Sequence, residues 1–337
     1  MKRPPGATRH NFAWTVTHGE AGTRLDRFIA SQFPEESRSR IQNWIRDGCA
    51  TVGEASVKTG YRTRAGDTVA LKIPRSVPAQ PFPEDMPLDV LYEDDDIAVI
   101  NKPAGMACHA GAGLRSGTLV NALLHRMGQI EAGDPERPGI VHRLDKFTSG
   151  VIITAKNNFS HRQLARQFKS REIKKEYIAL VYGTPSPSTG TIEIAIGRDP
   201  NNRKKMSAHA RRKRDAVTHY TVRENFGLVA LLDIRIETGR THQIRVHMAA
   251  KGHPVVGDSL YGGKRIKNLP APIARTVETM RRPFLHSSRI EFTHPRSGEI
   301  KAFYAPLPEE LKKLLRSFPI AGYGVITRME FSDSLKT

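Results

Sequence analysis

Apolar side chains recur at helical spacing soon after the start of the chain. Leu25, Phe28, Ile29 and Phe33 fall on one face, and Pro34 ends the run. A second helix is expected over 38–47, with Ser37 as its cap, Ile41, Trp44 and Ile45 turned inward and Gly48 as its stop. Its outward positions include Arg38, Arg40 and Arg46. Strands are expected at 50–52 and, after the turn Ala65-Gly66-Asp67, at 68–73. Residues 1–12 show no comparable period and are expected to form a tail.

Prolines 74, 78, 81, 83 and 87 follow. Proline fixes φ and lacks an N–H, so this stretch is neither helix nor central strand. Residues 76–87 are expected to be a stiff linker between domains at 13–75 and 88–318. Beyond it, strands are expected at 90–92 and 97–100, flanking the acidic turn Glu93-Asp94-Asp95-Asp96. Further strands are expected at 151–155, 174–181, 191–196, 216–224, 228–237, 289–292 and 299–304. Helices are expected at 158–170, 241–251 and 307–316. Residues 319–337 have no clear period and are expected to be a C-terminal tail. Helices inserted irregularly among strands imply α+β architecture with a mainly antiparallel sheet, not a doubly wound one. Neither G-x-G-x-x-G nor G-x-x-x-x-G-K-[ST] occurs, which argues against a nucleotide-cofactor loop.

Composition then narrows the partner. Of 337 residues, 53 are Lys or Arg and 34 Asp or Glu, a formal net charge of +19. Such an excess favours a polyanionic partner, because Lys and Arg neutralise phosphates and release counterions. Nucleic acid is the expected ligand. No apolar run is long enough to span a bilayer and no secretory signal is visible, so a cytoplasmic, non-membrane protein is expected. Two cysteines, Cys49 and Cys108, make no disulfide framework and lack metal spacing.

Chemistry concentrates in a few segments. In His142-Arg143-Leu144-Asp145-Lys146-Phe147-Thr148-Ser149-Gly150 a carboxylate stands among cations, a field that favours its ionised form. An ionised, oriented carboxylate serves as nucleophile or base; a surface ion pair accounts for the same cluster equally well. Gly239-Arg240-Thr241-His242-Gln243-Ile244-Arg245-Val246-His247 reads as a helix start capped by Thr241. It offers Arg245 to a carboxylate, or else a basic face to phosphate. Tyr177 is a strand aromatic suited to stacking on a base, or an ordinary core tyrosine. Asn101-Lys102-Pro103-Ala104-Gly105 suits a tight rim turn. The run Arg203-Lys204-Lys205 and Arg211-Arg212-Lys213-Arg214 suits either phosphate or solvent.

Taken together, these motifs resemble the RluA family of RNA pseudouridine synthases, over about 88–318. Residues 13–75 resemble a small α/β S4 (αL-type) RNA-binding domain, with Arg24-Leu25-Asp26 and Ser37-Arg38-Ser39-Arg40-Ile41 opening its helices. Within the family the chain is most similar to the large-subunit ribosomal RNA type designated D. Ala110, Phe147 and Val52-Gly53-Glu54 depart from the usual pattern.

The resemblance implies a pseudouridine synthase fold that isomerises uridines in the intersubunit stem-loop of large-subunit ribosomal RNA or a pre-ribosomal particle. It makes Asp145 the essential carboxylate, Tyr177 the stacking partner of the extruded uracil and Arg245 the partner of Asp145. Arg143 and His142 would contact RNA beside the cleft, and Arg38, Arg40 and Arg46 would grip it in the S4 domain. The reaction involves no net redox change or energy input, so no cofactor and no metal are expected; a monomer is expected. The other readings are a transfer-RNA pseudouridine synthase, a non-catalytic ribosome-assembly factor and an S4-containing RNA methyltransferase. The intact Asp145, Tyr177 and Arg245 set argues against the factor, and the missing glycine-rich loop against the methyltransferase.

Overall fold

The computed structural model describes residues 10–33, 38–73, 80–111, 114–202 and 204–318. The chain divides into two compact units, Met1–Ala79 and Gln80–Thr337. The expected cap Ser37 and the tails at 1–9 and 319–337 lie outside the described residues.

The first unit contains β1 (His10–Thr15), α1 (Leu25–Gln32), α2 (Arg38–Arg46), β2 (Ala50–Val52), β3 (Ala55–Ser56) and β4 (Thr68–Ile73). The strands form an antiparallel sheet in the order β1-β4-β2-β3. Residues 10–12, expected in the tail, belong to β1 and pair along β4. The reason is aromatic: Phe12 and Trp14 stack on each other, and both meet the edge of Phe33. Leu25, Phe28 and Ile29 of α1 and Ile41, Trp44 and Ile45 of α2 pack with Val69 and Leu71 of β4 into one core. Asp26 is wholly buried between the helices. It accepts from Arg24 (3.1 Å), from Arg38 (2.8 Å) and from Gln42 (2.7 Å). Burial opposes ionisation there, but the Arg24, Gln42 and Arg38 hydrogen bonds outweigh it and hold the carboxyl well below its usual range.

The second unit opens on ordered backbone. Phe82 and Glu84, placed in the linker by their neighbouring prolines, bind Asn121: its side-chain amide donates to the Phe82 carbonyl at 2.8 Å, and Glu84 N–H donates to its carbonyl at 3.0 Å. Its elements are β5 (Asp89–Glu93), β6 (Ile97–Lys102), α3 (Leu119–Met127), β7 (Ser149–Ala155), α4 (Asn158–Ser170), β8 (Lys174–Tyr182), β9 (Thr189–Glu193), β10 (Ile196–Arg198), β11 (Met206–Ser207), β12 (Lys213–Arg214), β13 (Val217–Asn225), β14 (Val229–Ile236), α5 (Gln243–Ala250), α6 (Ala271–Met280), β15 (Leu285–Thr293), β16 (Ile300–Tyr304) and α7 (Glu309–Arg316). The large sheet runs β5-β6-β7-β15-β8-β14-β13-β9, with β16 beside β15. Every pairing is antiparallel except that of β15 with β7. This is the expected α+β class.

Helices α3 and α6 were not anticipated. The first starts from a buried Thr118–Asn121 capping box, which the sequence pattern S/T-x-x-E/Q does not cover. The strand expected over 191–196 is two strands broken at 194–195. His247 of α5 draws out the Ile194 carbonyl there at 2.8 Å, and β10 turns away to join β11 and β12 in a small separate sheet.

The parallel contact depends on a glycine. Gly150 has φ +112, and a Cβ there would lie 2.1 Å from the Ser287 carbonyl oxygen. Only glycine permits this approach, so the Thr-Ser-Gly triplet lets the chain pass from the Asp145 loop straight into the sheet.

Candidate active site

A cleft of about 520 Å³ lies over the sheet, lined among others by Arg143, Asp145, Thr148, Tyr177, His242 and Arg245. Residues from three distant sequence segments therefore meet in one place.

Asp145 stands on the loop before β7. Three neighbours fasten that loop. Gly105 N–H donates to the Lys146 carbonyl at 2.8 Å. Leu144 exchanges bonds of 3.3 Å with Cys108 Sγ through its amide and carbonyl. Lys102, with no exposed surface, donates to the carbonyls of Pro103 and Met106, each at 2.8 Å, and to that of Lys146 at 3.4 Å. Burial depresses its amine to a pKa of about 8. The Asn-Lys-Pro-Ala-Gly segment thus braces the aspartate loop through the buried Lys102 and the Gly105 amide.

Arg245 points from α5 towards Asp145 at 3.2 Å. Its stronger partner is Asp258, which accepts Nε at 2.6 Å and Nη2 at 2.9 Å. Asp258 is buried and also accepts from the amides of Leu260 and Tyr261 at 2.9 and 3.2 Å. One guanidinium therefore bridges two carboxylates, with its orientation set by the buried one. Burial works against the guanidinium charge, but the Asp258 hydrogen bond and the charges of Asp258 and Asp145 hold its pKa above the usual value.

The helix does not begin at Thr241. His242 occupies the N-cap position in left-handed conformation, φ 57°, with no side-chain cap. Gln243 organises the turn instead: its Oε1 accepts from Thr238 Oγ1 (2.7 Å) and Arg240 N–H (3.0 Å). His242 comes within 3.9 Å of Asp145 through Nε2, and its Nδ1 pairs with the Tyr261 hydroxyl at 2.9 Å. Burial lowers its pKa against the opposing pull of Asp145. The Tyr261 ring lies 5.1 Å from the Arg245 guanidinium, and its hydroxyl accepts from Met206 N–H at 2.8 Å.

Tyr177 sits on β8, opposite Ser287 on one side and Ile234 on the other. It is 6% exposed, so its ring forms part of the cleft floor. Burial pushes its phenol pKa up, with Ser287 opposing. Arg143 is exposed and lines the cleft. His142 is held differently from its expected contact with RNA. Its Nε2 accepts from Ile153 N–H at 3.0 Å and its ring stacks on Phe168. Burial drops its pKa to about 3, leaving a neutral imidazole that pins the loop to β7 and carries no charge for a phosphate.

Relatives place this arrangement. The family model for RNA pseudouridylate synthase matches residues 96–250, and the S4 domain model matches 23–69. The ribosomal large subunit pseudouridine synthase D of Xanthomonas campestris is 43% identical over 302 residues, 89% of this chain and 90% of the relative. The chain belongs to the RNA pseudouridylate synthase family. It is an RNA pseudouridine synthase carrying an S4 domain. The ribosomal large subunit pseudouridine synthase D of Escherichia coli K12 is 40% identical over 312 residues, 92% of this chain and 94% of that one. Human RNA pseudouridylate synthase domain containing 1 superposes with a TM-score of 0.51 at 27% identity, over 70% of this chain and 97% of its own.

In the synthase's first unit, Arg38 and Arg46 lie on α2 but have different surroundings. Arg38 is committed to Asp26 at 2.8 Å. Arg46 is exposed and, among the described residues, donates to Gln42 O and Asn43 Oδ1 of its own helix. The Arg40 side chain lies outside the described residues. Asp258 is the site residue that motif reading missed. Its segment, Val256-Gly257-Asp258, lies beyond the family-model match at 96–250. A buried aspartate after two apolar residues and a glycine was the signal available.

Proposed function

We propose that the synthase converts uridines of large-subunit ribosomal RNA to pseudouridine, with Asp145 as the acting carboxylate. The observation that carries the roles is the convergence of Asp145, Tyr177 and Arg245, from three separate segments, on one cleft. The reaction breaks the N1–C1′ bond, turns the uracil and joins C5 to C1′; the C5 proton leaves and N1 gains one. The base must first leave its stack. Tyr177 offers the aromatic floor on which it rests. Asp145 attacks or deprotonates the nucleoside, and Arg245, fixed by Asp258, keeps that carboxylate charged and aimed. Exposed Arg143 holds the RNA backbone where the base has departed.

The substrate assignment draws on relatives named as large-subunit synthases and on the S4 unit, which gives a second grip on a large folded RNA. A stem-loop is the expected target, because its bases are already partly unstacked. We place the enzyme in the cytoplasm as a monomer.

Two measurements test this. The purified protein with a ribosomal transcript alone should yield pseudouridine at unchanged RNA mass. Asp145→Asn should abolish it while RNA binding survives. Carbodiimide primer extension on cellular RNA, with and without the gene, should show pseudouridines lost from large-subunit RNA. A loss confined to transfer RNA would overturn the substrate assignment and leave the reaction standing.

A further inference from the structure

Among the described residues, two buried side-chain polar atoms have no hydrogen-bond partner, Thr148 Oγ1 and His109 Nδ1. Both residues line the same cleft. Thr148 is 2% exposed and stands three residues after Asp145, its amide donating to the Asp145 carbonyl at 3.0 Å. Buried polar groups are almost always paired, so an unpaired one needs a reason. A fold gains nothing from an unbonded hydroxyl in its interior, and valine would fill the same space without that penalty. Two such atoms in one cleft, and none elsewhere among the described residues, point to a ligand there, and Thr148 is the more deeply buried of the two residues.

The depth of the hydroxyl says which part of the ligand reaches it. Arg143 lines the cleft and is exposed, within reach of a sugar-phosphate backbone. Thr148 and Tyr177 are buried at the floor. Only the extruded base travels that far, and its edge carries two carbonyl oxygens and an imide N–H. A hydroxyl both donates and accepts, so it matches either kind of group.

We infer that the Thr148 hydroxyl is a binding group for the polar edge of the flipped uracil, and that the bound base supplies the partner the fold withholds. This rests on the pseudouridine synthase reading of the cleft. Thr148 is then a residue that selects and orients the pyrimidine, distinct from the carboxylate that acts on it.

Three purified full-length proteins test it: wild type, Thr148→Val and Thr148→Ser. Each is assayed for single-turnover kcat/KM on a ribosomal transcript and for thermal unfolding. Thr148→Val should unfold at or above the wild-type temperature yet lose roughly tenfold or more in kcat/KM, the worth of one neutral hydrogen bond. Thr148→Ser, which keeps the hydroxyl, should recover most of that loss. Wild-type turnover by Thr148→Val overturns the inference. So does a lowered unfolding temperature for it, since that shows a partner within the fold. Equal loss in both variants also overturns it, because the methyl group would then matter and not the hydroxyl. If the wild type itself makes no pseudouridine on any RNA, the reading of the cleft fails first, and the two failures are told apart.

Discussion

Asp258→Asn separates the orientation of Arg245 from its presence. The asparagine keeps Oδ1, which serves Leu260 N–H, Tyr261 N–H and Arg245 Nη2. It replaces Oδ2, the acceptor of Arg245 Nε at 2.6 Å, with an NH2 group that opposes a donor to a donor. Both partners are buried, with side-chain exposures of 11% and 0%. Breaking a buried pair by removing one charge costs about 3–5 kcal/mol. The retained acceptor puts this substitution near ~3 kcal/mol, or roughly 6–12 °C of melting temperature for a unit this size. With Nε no longer held, the guanidinium turns about its Nη2 contact and shifts the Asp145 carboxylate that it also binds. A displacement of about 1 Å suffices for ~100-fold in rate. Calorimetry of the full chain, following its larger transition, and single-turnover kinetics at saturating enzyme read the two effects. A melting temperature within about 1 °C of wild type, together with an unchanged rate, would refute the claim that Asp258 fixes the arginine.

Two more expectations concern the N-terminal unit. Asp26 has a depressed folded pKa, so its contribution to stability is present above its unfolded pKa of about 3.9 and is lost as pH falls through the lower folded value. Asp26→Asn should therefore destabilise this unit strongly at pH 7 and progressively less towards pH 2 in acid unfolding curves; an equal loss at both ends would contradict the pairing with Arg24 and Arg38. Arg46→Ala should lower the slope of log K against log salt for RNA by roughly 0.7–0.9, whereas Arg38→Ala should register chiefly in stability, because Asp26 already holds that charge. Titrations over a range of salt would expose an Arg46 that touches no phosphate as an unchanged slope.

Periodic segments were the legible part of this fold. Helix α4 matches its expected bounds because Asn157 caps it and Leu164 faces the core. Strands β2 and β4 match because turns bracket them. Asp145, Tyr177 and Arg245, which meet in one cleft, were legible because they lie in compact motifs. What escaped was governed by contacts distant in sequence. Residues 10–12 look featureless until Phe33 and β4 supply a surface for Phe12. His142 reads as one more cation until the Ile153 amide and the Phe168 ring claim it. Thr241 reads as a helix cap, but Gln243 organises the turn while its amide group is held by Val217 and Thr218 of β13. Asp258 was not marked as a site residue by its own segment, because that role comes from Arg245, thirteen positions away.

The strand order also has a temporal side. Strand β15 lies between β7 and β8, yet it is translated after β14 and α6. At ~5–20 residues per second, roughly 5–20 s separate the completion of β8 at residue 182 from the start of β15 at residue 285. Until then the nascent chain holds two largely apolar strands with unsatisfied edges and no central partner to join them. Asp145 and Tyr177 belong to halves of the sheet that β15 sews together, so the cleft cannot exist on a chain stopped before Leu285. A truncated message would yield an aggregation-prone fragment in place of a weakened enzyme, and newly made chains would depend on chaperones during that interval.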